Sequence, residues 1–142
     1  MELRRSSHAV YELKYHLVWV PKYRARILGG EVSRHLKKVF REIAEEYEFN
    51  IVTLEIMEDH VHILIEAPPA YSPSHIVQVM KSISARELYK KFPKMKRQMW
   101  SGKIWNEGFF VRSMGDKVTA EVIKKYIQYQ KQEDNPKQAK MF

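Results

Sequence analysis

The sequence predicts an α+β fold, a four-stranded antiparallel sheet backed by two helices with a further helix near the C-terminus, and three observations predict it. Two runs, residues 11–20 and 60–66, alternate apolar and polar side chains with the period of two that marks a strand. Between them Val32, Leu36, Val39, Phe40, Ile43 and Tyr47 recur at the spacing of one helix face. The short polar turn Glu58-Asp59 joins a further strand-like run to the second alternating one, which is the pattern of a hairpin.

In chain order, the first strand places Tyr11, Leu13, Tyr15, Leu17 and Trp19 on one side and Glu12, Lys14, His16, Val18 and Val20 on the other, until Pro21 stops it. A basic loop with Lys22, Tyr23, Arg24 and Arg26 ends at Gly29-Gly30, where the first helix opens. That helix is expected over 31–48, with His35 a bystander among the charged residues of its solvated face. A second strand over 51–57 and a third over 59–66 form the hairpin, and Pro68-Pro69 ends it. Ser72-Pro73 reads as an N-cap followed by proline in the first turn of a helix over 73–91, burying Ile76, Val79, Met80 and Ile83. Pro93 closes this helix, and 94–102 reads as a basic loop or short turn. A fourth strand is expected at 109–112, a bend at Gly115, and a last helix capped by Thr119 that carries Val122, Ile123, Tyr126, Ile127 and Gln130. Residues 133–142 are polar enough to fray. The order βαββαβ plus a helix is the ferredoxin-like, RRM-like arrangement, and since many unrelated proteins use it, function has to be argued from the site.

The length of 142 residues and 44% hydrophobic composition suit one domain with a real core. The absence of cysteine excludes disulfides, thiolate metal sites and a cysteine nucleophile, so any metal must take nitrogen and oxygen ligands. No apolar run approaches the roughly 20 residues that span a bilayer, and the N-terminus lacks a signal-peptide core, so a soluble, intracellular protein with no membrane partner is expected. A net charge of +8, from 25 Lys and Arg against 17 Asp and Glu, points to a polyanionic partner, nucleic acid first. Basic residues gather at 22–26 and 81–103, while acidic ones cluster at Glu42, Glu45, Glu46 and Glu48, so one face is expected to be electropositive.

Two short motifs carry chemistry. His60 and His62 stand at i and i+2 on one strand and therefore point the same way, close enough to share a metal ion. Two solvent-facing polar residues would look the same, so the pair needs a second motif. The last helix offers one, because Tyr126 and Gln130 are four apart and lie on one helix face. A tyrosine hydroxyl has a pKa near 10 and needs a metal or base to act as a nucleophile at neutral pH. A metal on His60 and His62 would give that help, with the Gln130 carbonyl as third ligand. An aromatic in the apolar stripe of Val122, Ile123 and Ile127 is the plainer account of Tyr126. Tyr129 is the rival nucleophile, about 60° around the helix and with no glutamine one turn later on its own face.

His60-Val61-His62 preceded by Asp59, the run Tyr126-Ile127-Gln128-Tyr129-Gln130 and the bend Ser113-Met114-Gly115 together resemble the single-tyrosine transposases of the HUH nuclease superfamily. These are the small TnpA-type enzymes of bacterial and archaeal insertion sequences, and the likeness extends to Tyr15-His16-Leu17-Val18-Trp19-Val20-Pro21-Lys22-Tyr23-Arg24. The resemblance implies a single domain over 1–142, with 114–133 as a mobile catalytic helix. Tyr126 would attack single-stranded DNA, leaving a 5′-phosphotyrosine and a free 3′-hydroxyl, and rejoining would reverse the step with no nucleotide cofactor. It implies magnesium or manganese, whereas two imidazoles and an amide suit manganese, zinc or another transition ion by ligand softness. It also implies a prokaryotic cytoplasm and a homodimer whose active sites are shared between subunits, with Gly115 as the flexible attachment. DNA hairpins near the element ends would be recognised, a task suited to Lys22, Tyr23, Arg24, Lys81, Arg86, Lys90 and Trp100. Three other readings are a non-catalytic single-stranded nucleic-acid-binding module on the same fold, a host-domesticated relative such as the transposases associated with repetitive extragenic palindromes, and a metal-dependent hydrolase of small phosphate esters.

Overall fold

In the computed structural model, residues 4–5, 10–22, 27–98, 103–113 and 120–133 are described. The elements are β1 (Arg4–Arg5), β2 (Val10–Tyr11), β3 (Lys14–Trp19), α1 (Gly30–Tyr47), β4 (Asn50–Met57), β5 (His60–Glu66), α2 (Pro73–Lys91), α3 (Pro93–Gln98), β6 (Phe110–Ser113) and α4 (Ala120–Glu133). β3 to β6 form one antiparallel sheet in the order β4-β5-β3-β6, with α1 and α2 as the connections that make it ferredoxin-like. The histidine strand β5 is therefore central.

Local signals explain most boundaries. Ser72 caps α2 by accepting the His75 amide at 3.1 Å, and Pro73 takes the first helical position, where its missing N–H costs nothing. α1 ends where Glu48 turns left-handed at φ 61° and returns its amide to the Ala44 carbonyl.

Three expectations are corrected. The first strand does not run through 11–20, because Tyr11 pairs with Arg4 in a separate two-stranded ribbon, leaving Lys14–Trp19 in the main sheet. Arg4 fastens that ribbon, with its guanidinium on the carbonyls of Glu66 and Glu48 and 3.7 Å from the Glu66 carboxylate. Pro93, moreover, opens a further short helix instead of leading into a loop; its fixed φ suits a first helical turn, and Met95 is buried beneath it. His35 is no bystander either, since its ring packs edge-on against Phe92 with centroids 5.9 Å apart. The expected bend at Gly115, the Thr119 cap, and the 134–142 part of the frayed tail lie outside the described residues.

The core fills one face of the sheet. Leu17 and Trp19 of β3 and Val61, Ile63 and Ile65 of β5 are fully buried against Leu36, Phe40 and Ile43 of α1 and Ile76, Met80 and Leu88 of α2. Trp19 anchors this layer with edge-on contacts to Phe40 and Trp105. The alternation that buries these residues turns His60, His62, Leu64 and Glu66 to the other face, and α4 lies over that face.

Just beyond β3, Pro21 bridges to Trp105, the Asn106 amide donates to Val20, and the Lys22 amide donates to Ile104. The Trp105 indole also donates to Ser84 of α2 at 2.9 Å. Residues 104–106 are thus stapled between the sheet and α2. No helix among the described residues is long and apolar enough to cross a membrane.

Candidate active site

The two histidines of β5 share a face, as their spacing requires, but have different surroundings. The His60 Nδ1 lies 2.9 Å from Asp59 Oδ1, and a carboxylate there accepts the Nδ1 proton and leaves Nε2 as the outward donor atom. His62 is buried. Its Nε2 is 3.3 Å from Nδ1 of His16, and its Nδ1 is 3.7 Å from a Glu55 carboxylate oxygen, with no hydrogen-bond partner among the described residues. The β-ladders explain this grouping, because Val18 and Glu55 stand opposite His62 on its two neighbouring strands and His16 is diagonal to it.

Burial lowers the pKa of His62, with the Glu55 carboxylate pulling it back up and His16 and His60 adding to the lowering. That of His16 is lowered too, first by burial and then by the Arg112 guanidinium. Neutral imidazoles are the form that binds a metal. Among the described residues no three His, Asp or Glu side chains converge closely enough to hold an ion unaided. Two imidazoles with one nitrogen each left open, one of them a buried Nδ1 lacking a hydrogen bond, nevertheless fit a divalent ion that takes its remaining ligands from elsewhere.

Tyr126 and Gln130 project from one face of α4, and that face meets a different cavity. They line it with Lys22, Asn106, Gly108 and Phe110, and the rings of Tyr126 and Phe110 are 6.2 Å apart. The α4 face turned to His60 carries Ile123, Lys124, Ile127 and Gln128 instead, over a cavity shared with Glu55 and Asp59. Thus the structure brings Tyr126 together with Gln130 at one cavity and sets His60 at another, while His62, on the same β5 face as His60, is buried and lines neither. Tyr129, the rival nucleophile, lines the edge of the Tyr126 cavity and is 58% exposed.

Gln130 is almost completely buried, and its partner is Asn106. The Asn106 Nδ2 donates to Gln130 Oε1 in a short hydrogen bond, and Asn106 Oδ1 accepts the Glu107 amide at 3.0 Å, which fixes the orientation of the Asn106 amide. Gly108 lets the loop come this close. It adopts φ +88°, and a Cβ at its position would stand 3.4 Å from Gln130 Nε2. Lys81 of α2 braces the same loop, donating to the carbonyls of Asn106 and Gly108 at 2.7 Å each. Burial lowers the Lys81 pKa to about 8, against the pull of Glu107.

The remaining nucleic-acid candidates divide. Tyr23, Arg24 and Trp100 lie outside the described residues. Lys22 borders the Tyr126 cavity, and Lys90 is exposed in the last turn of α2. Arg86 is exposed beside Glu42, Glu46 and Glu87. Lys81 holds a loop instead of reaching toward solvent. Sequence reasoning missed His16, Glu55, Asn106 and the bracing role of Lys81. For His16 and Glu55 a signal existed, since each stands on an alternating strand; the pairing register that brings them to His62 did not show.

The profile of the family described as "Transposase IS200 like" matches residues 9–130 of the chain. The ISDra2 transposase TnpA of Deinococcus radiodurans is 36% identical over 130 residues, covering 92% of each sequence. The transposase for insertion sequence element IS200 of Salmonella typhimurium is 34% identical over 128 residues, covering 90% of this chain and 83% of that one. A crystal structure from Deinococcus radiodurans assigned as a transposase superposes with a TM-score of 0.75 at 35% identity, over 89% of this chain and 95% of the other. The REP-associated tyrosine transposase, solved bound to a REP hairpin, shares the fold at a TM-score of 0.54 and 13% identity, over 88% of this chain and 68% of that one.

Proposed function

The chain belongs to the IS200-like transposase family, and from that premise we propose that it cuts and rejoins single-stranded DNA at insertion-sequence ends through a tyrosine nucleophile, Tyr126. The observation that carries this reading is the pairing of two chemically distinct halves on one sheet face. One is an imidazole pair with open nitrogens on β5, and the other is a helix laid over it that presents Tyr126 and Gln130.

In the proposed step the Tyr126 Oη forms a bond to phosphorus, and the bond from phosphorus to the 3′-oxygen breaks. The product is a 5′-phosphotyrosine and a 3′-hydroxyl, the proton lost by the phenol being balanced by the one gained at the leaving oxygen. Rejoining is the reverse with another 3′-end, so no water and no nucleotide cofactor is consumed. His60 and His62, with Gln130 as the third protein ligand, would hold magnesium or manganese, which when bound withdraws charge from a phosphate oxygen. Asp59 keeps the His60 ring oriented, and His16 does the same for His62. Lys22 borders the Tyr126 cavity, where an ammonium suits the phosphate backbone of a strand with hairpin ends. A homodimer is part of this reading, because the Tyr126 face of α4 opens to a cavity that its own histidines do not line.

The test is a denaturing gel of the protein with labelled single-stranded DNA carrying candidate element ends, with and without manganese. A metal-dependent covalent adduct is expected in the wild type and in Tyr129→Phe and is lost in Tyr126→Phe. Loss only in Tyr129→Phe would move the nucleophile. Tight binding without adduct on any DNA, including the ends flanking its own gene, would make the chain a binding module.

A further inference from the structure

We propose that Arg112 is a catalytic residue of the transfer step, its guanidinium binding the phosphate that the tyrosine attacks, at a point of the sheet face between the imidazole pair and the tyrosine helix. The inference rests on the proposed function, in that it takes a DNA phosphodiester as the substrate at this face. It is independent of which subunit lends the helix.

The β-ladders place the arginine. Residues directly opposite one another in antiparallel strands share a face, so Arg112 of β6, His16 of β3 and Leu64 of β5 form one row across it, and Phe110, Val18 and His62 form the next. A third row, on the other side of the first, holds Lys14 and Glu66. Of the two strand cations on this face, Arg112 is thus one row from His62 and Lys14 is two, and Lys14 stands opposite a carboxylate. Since β6 and β5 flank β3, the backbones of Arg112 and His62 are on the order of 10 Å apart across it, a span that one phosphate group between two such side chains would bridge.

Contacts on both sides agree with that placement. On one side the Arg112 Cζ lies over the Phe110 ring, 5.6 Å from its centroid, and the Phe110 ring is 6.2 Å from that of Tyr126. On the other, the Arg112 charge is felt at His16, whose pKa it helps to lower, and His16 Nδ1 is 3.3 Å from His62 Nε2. Stacking uses the face of a guanidinium, whereas phosphate oxygens bind in its plane through the N–H fork, so the two contacts are compatible and the ring orients the fork. As the bond from Tyr126 Oη to phosphorus forms and the bond from phosphorus to the 3′-oxygen breaks, charge gathers on the phosphoryl oxygens and on the leaving oxygen. A cation fixed beside the non-bridging oxygens stabilises that charge. Arginine stays protonated throughout. It neither gives nor takes a proton, and the one lost by the phenol is balanced by the one gained at the 3′-oxygen.

Two measurements on the full-length protein test this, for wild type, Arg112→Met, which keeps an apolar stem against Phe110 without the charge, and Arg112→Lys. The first is binding of labelled single-stranded DNA carrying candidate element ends, with metal removed by chelation, over a range of salt. One lost phosphate contact on a single strand should lower the slope of log Kd against log salt by about 0.7 in Arg112→Met, and an unchanged slope overturns the proposal. The second is the rate of adduct formation with manganese at saturating DNA. Arg112→Met should be slower on the order of 100-fold, and Arg112→Lys, which restores the charge, should fall between the two. A wild-type rate in Arg112→Met, or a lysine variant no faster than the methionine one, would reduce Arg112 to packing on Phe110. Arg112→Gln replaces Arg112→Met if the latter folds poorly by circular dichroism. Should the wild type itself form no adduct, the proposed function fails by that result, and Arg112 is judged on the salt slope alone.

Discussion

His16 and His62 face each other across two neighbouring strands, with Nδ1 of the first 3.3 Å from Nε2 of the second. When the Nε2 proton of His62 is donated to His16 Nδ1, the contact fixes the His62 ring and leaves the lone pair of its Nδ1 open beside Glu55. A ligand held this way needs no reordering when an ion arrives. His16→Ala should therefore weaken manganese binding, on the order of tenfold, with secondary structure unchanged by circular dichroism. Equal affinities by calorimetry would reduce His16 to packing.

A second prediction follows from the lining of the Tyr126 cavity, which includes neither His60 nor His62 of the same chain. Inactive Tyr126→Phe mixed with inactive His62→Ala should recover part of the cleavage, because one intact site can form across two subunits. Absence of recovery, with subunit exchange proven by labelled protomers, would place the complete site in one chain.

The Lys81 ammonium gives a pH signature. Its folded pKa of about 8 lies below the ordinary 10.5, so between those values the unfolded chain holds the extra proton. Stability against denaturant should then rise from about pH 8 toward pH 10, by a contribution that is absent below pH 8 where both states are protonated. Lys81→Met should lack that rise. Parallel slopes for wild type and variant in urea melts at pH 7.5 and 9.5 would contradict this assignment.

Gly108 supplies a fourth test. At φ +88° any side chain is strained, although the space at 3.4 Å from Gln130 is only tight. Gly108→Ala should cost about 1–2 kcal/mol of stability, read from the urea midpoint. No loss would mean the loop readily adopts another conformation.

Much of this was legible in the sequence, and the reasons are local. The bounds of α2 could be read to the residue because Ser72-Pro73 starts it and Pro93 follows its end. β5 was equally clear from alternation. What escaped was set by partners distant in the chain. Nothing in residues 11–20 shows that Tyr11 will pair with Arg4, or that Val18 will stand opposite His62. Lys81 read as one of many basic residues, yet its role depends on a loop some twenty-five residues onward. Asn106 drew no attention at all, because a single asparagine carries no pattern until its neighbour Gln130 is folded against it.

The strand order has a consequence for how the protein is made. β3, made before the other strands of its sheet, needs β5 on one side and β6 on the other, and β6 is not synthesised until residues 110–113. Until then a nascent chain carries a sheet with β3 as a bare edge, its unpaired amides and carbonyls able to template a neighbouring chain. Translation halted before Phe110 should thus release fragments that aggregate, and a sedimentation assay of staged truncations would locate the change at the point where β6 is first complete.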